Sequence, residues 1–193
     1  YKFLFDVAKK IDAQAILVGH HFNDHIETVM HNFLRGTGMH GLTGIHEYQI
    51  LSDYSDNIPI VRPLLEIKKS ELENYCQHNQ LTIIEDKSNL DTEFTRNKIR
   101  QLLIPQLKEY NPNIEGNIAN LSKILFEENK YLQEMANIYL GDCLLADNSG
   151  YLSFDNEHFQ SIPIGIQGRV FRLLFKKIAG HAHQLDFAAT NRA

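Results

Sequence analysis

A short apolar run that stops at a cluster of histidines and acids is the feature that most constrains the fold. Residues 15–19 read AILVG, which has the length and composition of a buried strand in a parallel sheet. A helical pattern precedes this run and another follows it; the first consists of Phe3, Leu4, Val7 and Ala8. Helix, strand and helix in succession predict an α/β fold with a parallel sheet.

The helix after this strand is predicted from its two ends and from its apolar face. Asp24 with Glu27 makes a capping pair at the start, and Gly36 ends the helix at the first position beyond it. The positions that share one face between these ends are apolar, namely Ile26, Val29, Met30, Phe33 and Leu34.

The alternation of helix and strand continues along the first half of the chain. Three glycines in residues 37–55 predict a mobile loop, and residues 58–65 predict an extended segment. Residues 66–79 then predict a helix and residues 81–86 a strand.

The second half of the chain is predicted to be mainly helical. A helical stripe is interrupted at Pro105, and the turn YNPN at residues 110–113 marks the expected domain boundary. A long amphipathic helix covers residues 114–145, and Pro163 opens a further helix that stops at Gly180.

Composition excludes several classes of protein. The formal charge of −5 and the pI near 6.0 argue against a broadly basic nucleic-acid coat, so any RNA contact must be local. No run approaches the ~18 apolar residues of a membrane span, so no membrane partner is expected. The two cysteines, Cys76 and Cys143, form no metal or disulfide motif, which favours a reducing, cytoplasmic location.

The two ends of the chain predict that it is an internal piece of something longer. The first residue is Tyr1 rather than a methionine, and no signal peptide follows it. The last residues, HQLDFAATNRA, stop within a helical pattern without a glycine or proline.

The residues just after the predicted strand are the first candidate site. In open α/β sheets ligands bind beyond the carboxyl ends of strands, where Gly19 and His20 lie, and Asp24 opens the next helix. His20 and Asp24 could converge on a nucleotide or its Mg²⁺, and the helix N-terminus favours an anion. Caps and surface histidines would look the same, and a zinc site at His21 and His25 is weaker because the HExxH order is missing.

Basic residues define two further candidates. Arg35 beside the glycine-rich loop either complements the helix dipole or meets a phosphate of a substrate covered by that loop. Arg96, Lys98 and Arg100 lie at a helix start, where they could bind an RNA backbone or polyphosphate, or could form an ordinary solvated face.

Three stretches taken together resemble the tRNA(Ile)-lysidine synthases in order and spacing. They are GHHFNDHIETVMHNFLRGTGMHGLTGI, RPLLEIKKSELENYCQHN and EDKSNLDTEFTRNKIRQLLIPQL, and the likeness is strong over residues ~15 to 110. It implies a Rossmann-like, adenine nucleotide alpha hydrolase-like sheet whose N-terminal part is missing. Residues 1–110 would be the C-terminal part of this ATP-pyrophosphatase domain, and residues 111–193 a helical tRNA-binding domain, incomplete at its C-terminus.

The resemblance also implies an activity. Such ligases use ATP and Mg²⁺ to adenylate the C2 oxygen of the wobble cytidine in tRNA(Ile) with a CAU anticodon. The ε-amine of free L-lysine then attacks C2 and AMP leaves, which gives lysidine. The partners would be that tRNA and lysine, in a protein that could be a homodimer.

Site residues follow from the family motifs. His20 and Asp24 match the catalytic centre, Glu27 and Thr28 complete the signature, and Arg96 matches an arginine near the reacting groups. An acid that holds Mg²⁺, here Asp24, and a nearby arginine suit the departure of AMP. Alternatively, His20 assists removal of a proton from the lysine ammonium.

The remaining residues carried over from the family bind the ligands. They are Gly19, His20, Arg35 and Gly36 for the nucleotide, and Arg62, Asn97, Lys98 and Arg100 for the tRNA. We expect the reacting residues His20, Asp24 and Arg96 to line one cavity at the edge of the sheet.

Two departures from the family are visible. Asn23 stands where many relatives have an aspartate, which removes one metal ligand. The SGGxDS loop that grips the ATP phosphates would precede residue 1, so these 193 residues alone are expected neither to bind ATP tightly nor to turn over.

Three other functions stay open at this point. A related tRNA-thiolating enzyme would need reactive cysteines, and Cys76 and Cys143 are isolated in the sequence. A histidine-based metallohydrolase would contain stoichiometric zinc. A noncatalytic tRNA-binding module would bind tRNA without turning over ATP.

Overall fold

The structure, a computed structural model, describes residues 1–84, 95–148 and 151–179. Two compact units divide the chain, one covering Tyr1–Phe126 and the other starting at Glu127. The division lies further along the chain than the turn at residues 110–113 that was expected to be a boundary. The assignment of a catalytic and a tRNA-binding domain stays a prediction.

The first unit begins as the sequence predicts. Helix α1 (Lys2–Lys10) is followed by strand β1 (Ile16–Leu17) and helix α2 (Phe22–Leu34). The buried face of α1 packs on the sheet, and the residues of this core are Phe5, Ala8, Ile16 and Ile60. Of the predicted stripe of α1 only Ala8 is buried, whereas Phe3, Leu4 and Val7 are exposed. Burial of Phe5 and Ala8 is what packs α1 against β1.

The sheet of this unit is mixed, and the prediction of a purely parallel sheet is wrong. Strand β3 (Ile60–Val61) lies between β1, to which it is parallel, and β2 (Tyr48–Gln49), to which it is antiparallel. Residues 37–55 were predicted as a loop, but they contain β2 and the short helix α3 (Met39–Leu42). Because β2 has only two residues, pairing with β3 rather than its own sequence stabilises it.

The next helices lie on either side of residues 85–94, which are outside the described part of the chain. Helix α4 (Lys69–His78) is confirmed, whereas residues 81–84 of the predicted strand have no regular structure. Helix α5 (Thr95–Lys98) continues through a π-helical turn (Ile99–Leu103) into α6 (Ile104–Tyr110). The wide turn accommodates Pro105, which lacks the N–H of an α-helical hydrogen bond.

A second core of the first unit joins α2 to these helices. Helix α7 (Ile114–Cys143) starts after the turn at residues 110–113, as predicted. The packed residues are Ile26, Ile99, Ile104 and Ala119. This core brings the start of α2 against α5 and the π-helical turn.

The second unit contains the end of α7, a hairpin and two helices. Strands β4 (Leu144–Asn148) and β5 (Tyr151–Phe154) pair in antiparallel fashion. Helices α8 (Asn156–Ser161) and α9 (Ile164–Ala179) follow, and the predicted stop at Gly180 lies outside the described residues. None of the helices in the described ranges is long and apolar enough to cross a membrane.

Candidate functional site

The start of α2 is fixed by a reciprocal pair of hydrogen bonds. The backbone N–H of Asp24 donates to Nδ1 of His21 over 3.3 Å, and the backbone N–H of His21 donates to Oδ2 of Asp24 over 3.0 Å. The predicted capping pair of Asp24 with Glu27 is therefore wrong. Asp24 caps the helix together with His21, while Glu27 lies one turn further on and points inward.

Glu27 is the buried centre of an ion cluster, which we call the Glu27 cluster and which consists of Asp24, Glu27, Arg96 and Arg100. Glu27 is only 1% exposed, yet its carboxylate accepts three N–H bonds. Nε of Arg96 donates to Oε2 over 3.0 Å, and Arg100 donates from Nε to Oε1 over 2.6 Å and from Nη2 to Oε2 over 2.9 Å. Such charge-assisted bonds offset the desolvation cost of burying the carboxylate of Glu27.

Asp24 is joined to the same two arginines. Nη2 of Arg96 lies 3.2 Å from Oδ1 of Asp24, and Nη2 of Arg100 lies 3.6 Å from the same oxygen. Hydrogen bonding to Glu27, opposed in part by burial, raises the pKa of Arg100 above its ordinary value. Two carboxylates thus face two guanidinium groups. Asp24 and Arg96 are in contact, whereas a cavity that they share with His20 stays a prediction.

His20 lies at the carboxyl end of β1 and is held by a buried arginine. Nε of Arg62 donates to Nδ1 of His20 over 3.3 Å. Burial, together with the positive charge of Arg62, lowers the pKa of His20, and Asp24 only partly opposes this effect. His20 is therefore a neutral imidazole at pH 7.

Arg62 was predicted to contact tRNA, but it is only 5% exposed. Its Nη1 donates to the carbonyl oxygen of His46 over 2.6 Å, and its Nη2 donates to Oε1 of Gln49 over 3.1 Å. Sequence reasoning missed this internal role. The position of Arg62 directly after the buried strand β3 is the signal that could have indicated it.

A cleft of about 500 Å³ adjoins the Glu27 cluster in the first unit. Its walls come from α2, α4, α6 and α7 and carry side chains of both charges. They include Asn23, Glu27, Lys68, Lys69, Glu73, Arg100, Lys108 and Glu115. Lys69 pairs with Glu73 and Lys108 pairs with Glu115, so acids of the cleft offset two of its three lysines.

Asn23 holds one wall of this cleft together. Its Nδ2 donates to Oε1 of Glu115 over 3.1 Å, and its Oδ1 accepts from the backbone N–H of Lys69 over 3.0 Å. An aspartate could accept the second bond but could not donate the first, and it would repel Glu115. The departure at this position has a structural role of its own in this chain.

The predicted nucleotide-binding residues fall into two separate places. Gly19 and His20 lie at the start of α2, and an added Cβ at Gly19 would meet open space. Arg35 and Gly36 lie at the far end of the same helix, about 20 Å along its axis. Gly36 has a φ of +74° at the predicted helix stop, so its place in the fold is explained by the end of α2.

The predicted tRNA-binding residues also differ in their surroundings. Lys98 is exposed on α5, whereas Asn97 is buried and 9% exposed. Arg100, as described above, bonds to Glu27. Of these residues Lys98 alone presents its charge freely to a partner at the surface.

The sequence suggested Mg²⁺ at Asp24 and zinc at His21 and His25. Oδ2 of Asp24 accepts the capping N–H and Oδ1 faces two guanidinium groups, so the carboxylate as placed does not fit Mg²⁺. Within the described ranges no three His, Cys, Asp or Glu side chains form a group that could hold a metal. Nδ1 of His21 caps α2, and Nδ1 of His25 lies 3.1 Å from the backbone of Ile45.

The charged side chains lie beyond the carboxyl end of β1, which is where open α/β sheets bind their ligands. Residues 1–107 match the PP-loop domain, and the chain belongs to the PP-loop family. Membership of this family implies the use of ATP.

The chain is also similar to two tRNA(Ile)-lysidine synthases. The chain is 34% identical over 187 residues to a tRNA(Ile)-lysidine synthase of Clostridioides difficile (strain 630). The aligned region covers 96% of this chain and 39% of that protein. A tRNA(Ile)-lysidine synthase of Nostoc sp. (strain PCC 7120 / SAG 25.82 / UTEX 2576) is 34% identical over 198 residues, with 96% and 57% covered. The chain therefore spans between about two fifths and three fifths of the length of these relatives.

The fold also resembles that of a U34-tRNA thiolase, NcsA from Methanococcus maripaludis with its 4Fe-4S cluster. The TM-score is 0.51 at 17% identity, and the match covers 65% of this chain and 41% of that one. At this identity the likeness concerns the fold alone.

Proposed function

We propose that these residues form the carboxyl-terminal part of the catalytic domain of a tRNA(Ile)-lysidine synthase, followed by part of its tRNA-binding region. In this reaction the C2 oxygen of the wobble cytidine attacks the α-phosphorus of ATP, and pyrophosphate leaves. The lysine ε-amine then bonds to C2, the bond between C2 and the oxygen breaks, and AMP leaves with that oxygen. The lysine nitrogen loses a proton in the process.

The contact between Asp24 and Arg96 is the observation that carries this proposal. It joins two motifs that lie 72 residues apart in the chain and that the family resemblance had placed near the reacting groups. The side chain of Arg96 remains 44% exposed, so its guanidinium can also meet a phosphate oxygen of a bound adenylate. A fixed cation at that point favours the departure of AMP.

In this proposal Glu27 is a positioning residue rather than a catalytic one. It is buried, and its carboxylate is occupied by Arg96 and Arg100. Glu27 holds the guanidinium of Arg96 against Asp24 and keeps both cations in place before the substrate binds. Preorganisation of this kind lowers the cost of reaching the transition state.

Exposed lysines would contact the tRNA backbone in this unit. Lys98 is exposed on α5, and Lys68, Lys69 and Lys108 line the cleft beside the Glu27 cluster. Because the whole chain has a net charge of −5, and Glu73 and Glu115 pair with Lys69 and Lys108, Lys98 and Lys68 are the cations of this group that would attract phosphates.

A lysine-incorporation assay tests the proposal. The gene product that carries these 193 residues is incubated with ATP, labelled lysine and a tRNA(Ile) transcript with a CAU anticodon. We expect label in this transcript and none in a matched transcript whose wobble base is uridine. Equal labelling of the two transcripts, or no labelling of either, would refute lysidine synthesis.

A variant pair links the activity to the site. Arg96→Met should lower kcat about 10²–10³-fold, as loss of a charge-stabilising donor does in other enzymes. Lys10→Met, which removes a cation from the exposed end of α1, should leave kcat unchanged. If the two variants lose activity equally, Arg96 has no special role.

The alternatives have less support from the described residues. Cys143 is buried in the core of the second unit, where burial raises the pKa of its thiol, so it is a poor nucleophile for thiolation. Sulfur rather than lysine incorporation would favour that reaction. Binding of tRNA without consumption of ATP would favour a noncatalytic module.

A further inference from the structure

We propose that Arg62 is a positioning residue that fixes His20 as the neutral tautomer with its proton on Nε2. His20 then serves as a hydrogen-bond donor to the substrate and not as a base. The tautomer follows from the geometry alone, whereas its consequence for the reaction depends on the proposed function.

Three hydrogen-bond acceptors from neighbouring residues hold Arg62 in place. Its backbone N–H donates to the carbonyl oxygen of Glu47 over 2.8 Å. Its side chain donates to the carbonyl oxygen of His46 and to the amide oxygen of Gln49. The third group of the guanidinium, Nε–H, points at Nδ1 of His20.

The chemistry of the two side chains decides where the proton of His20 lies. A guanidinium has five N–H donors, no acceptor, and does not lose its proton in proteins. Nδ1 of His20 must therefore offer its lone pair to Arg62. In a neutral ring the single proton is then on Nε2, as the hydrogen bond made by one ring nitrogen dictates the state of the other.

The same contact prevents His20 from accepting a second proton. An imidazolium would carry N–H groups on both nitrogens, so Nδ1–H would face Nε–H of Arg62 beside a full positive charge. Burial and this charge both lower the pKa of His20, in agreement with the geometry. His20 thus presents Nε2–H on the side away from Arg62.

This assignment decides between two roles that the sequence left open for His20. A ring with Nε2 already protonated and Nδ1 engaged cannot take the proton of the lysine ammonium. It can donate from Nε2 to an anionic oxygen of the adenylate, and the charges of Asp24 and Arg96 both act on the ring. Donors placed in this way typically contribute ~10²–10³-fold to kcat.

Nitrogen NMR of the unaltered protein tests the tautomer directly. The protein is labelled with ¹⁵N at its histidine side chains, and the signals of His20 are identified by their loss in His20→Gln. Long-range proton–nitrogen spectra at pH 7 should show a protonated Nε2 and an unprotonated Nδ1. A protonated Nδ1, or an equal mixture of tautomers, would overturn the proposal without depending on any enzymatic activity.

Variants test whether Arg62 is responsible. Arg62→Met, which keeps the bulk but removes every donor, should give a mixture of tautomers and a higher pKa of His20. Gln49→Ala removes one anchor of Arg62 that does not touch His20, so it should leave the tautomer unchanged. An unaltered His20 in Arg62→Met would overturn the role of Arg62, and if this variant does not fold, the spectrum of the unaltered protein still decides the tautomer.

Kinetics test the consequence for the reaction. His20→Gln keeps an N–H donor and should retain kcat within about tenfold, whereas His20→Ala should lose about 10²-fold or more. If the two variants are equally inactive, His20 is not simply a donor. If the unaltered protein makes no lysidine, the proposed function fails, but the NMR result on the tautomer stands.

Discussion

Replacing Glu27 by glutamine should destabilise the first unit by about 3 kcal/mol. The amide keeps the shape of the side chain, but its NH₂ group must face a guanidinium N–H of Arg96 or Arg100. Removing one partner of a buried ion pair costs ~3–5 kcal/mol. Because the side chains of Arg96 and Arg100 are 44% and 29% exposed, water can solvate both cations, which places the cost near the lower end.

Equilibrium urea unfolding, followed by circular dichroism, measures this cost. Glu66→Gln is the matched control, since the exposed carboxylate of Glu66 accepts a single 2.7 Å bond from Lys123. An exposed pair of this kind contributes less than about 1 kcal/mol. A free energy of unfolding for Glu27→Gln that equals that of the control would show that the Glu27 cluster does not stabilise the fold.

Two further predictions concern the segment between α3 and β2. Gly44 has a φ of +67° and an added Cβ would lie 2.6 Å from Cε1 of His25, so Gly44→Ala should cost about 2–4 kcal/mol. Gly36→Ala, at a φ of +74° with nothing within 4 Å of the added Cβ, should cost only about 1–2 kcal/mol. If the two alanine variants lose equal stability in urea, the steric argument for Gly44 is refuted. Burial lowers the pKa of His46 below the ordinary 6.5, so the unfolded chain binds the proton more readily and stability falls as the pH drops through 6.5. His46→Gln, which keeps a polar group beside Oγ1 of Thr43, should flatten this fall below pH 6.5, and an unchanged slope would contradict the assignment.

The sequence allowed one long-range contact of the site to be predicted and left another hidden. The order of the family motifs suggested that Arg96 lies near Asp24, and it does. The bond between Arg100 and Glu27 was not expected, because a basic helix start looks the same whether it faces water or a buried acid. The available signal was that Glu27 shares a helical face with Met30 and therefore lies on the apolar side of α2.

The fold was predictable where local patterns are strong. The existence of α1 and α2 could be read from helical spacing, and the end of α2 from Gly36, whereas the buried face of α1 and the cap of α2 at His21 could not. Strand β2 could not, since Tyr48 and Gln49 have no apolar run and depend on pairing with β3. The internal role of Arg62 was hidden for the same reason, because its partners come from a segment that the sequence predicted to be a loop.

The Glu27 cluster also affects the order in which parts of the first unit fold. Its carboxylate and its two arginines are separated by 69 and 73 residues, whereas α2 itself can form from local contacts alone. Loop closure over so many residues is slow compared with helix formation. Glu27 therefore stays without its arginine partners on the inner face of α2 until α5 packs against that helix. During synthesis and refolding, that interval is when this half of the protein is most exposed to misassembly.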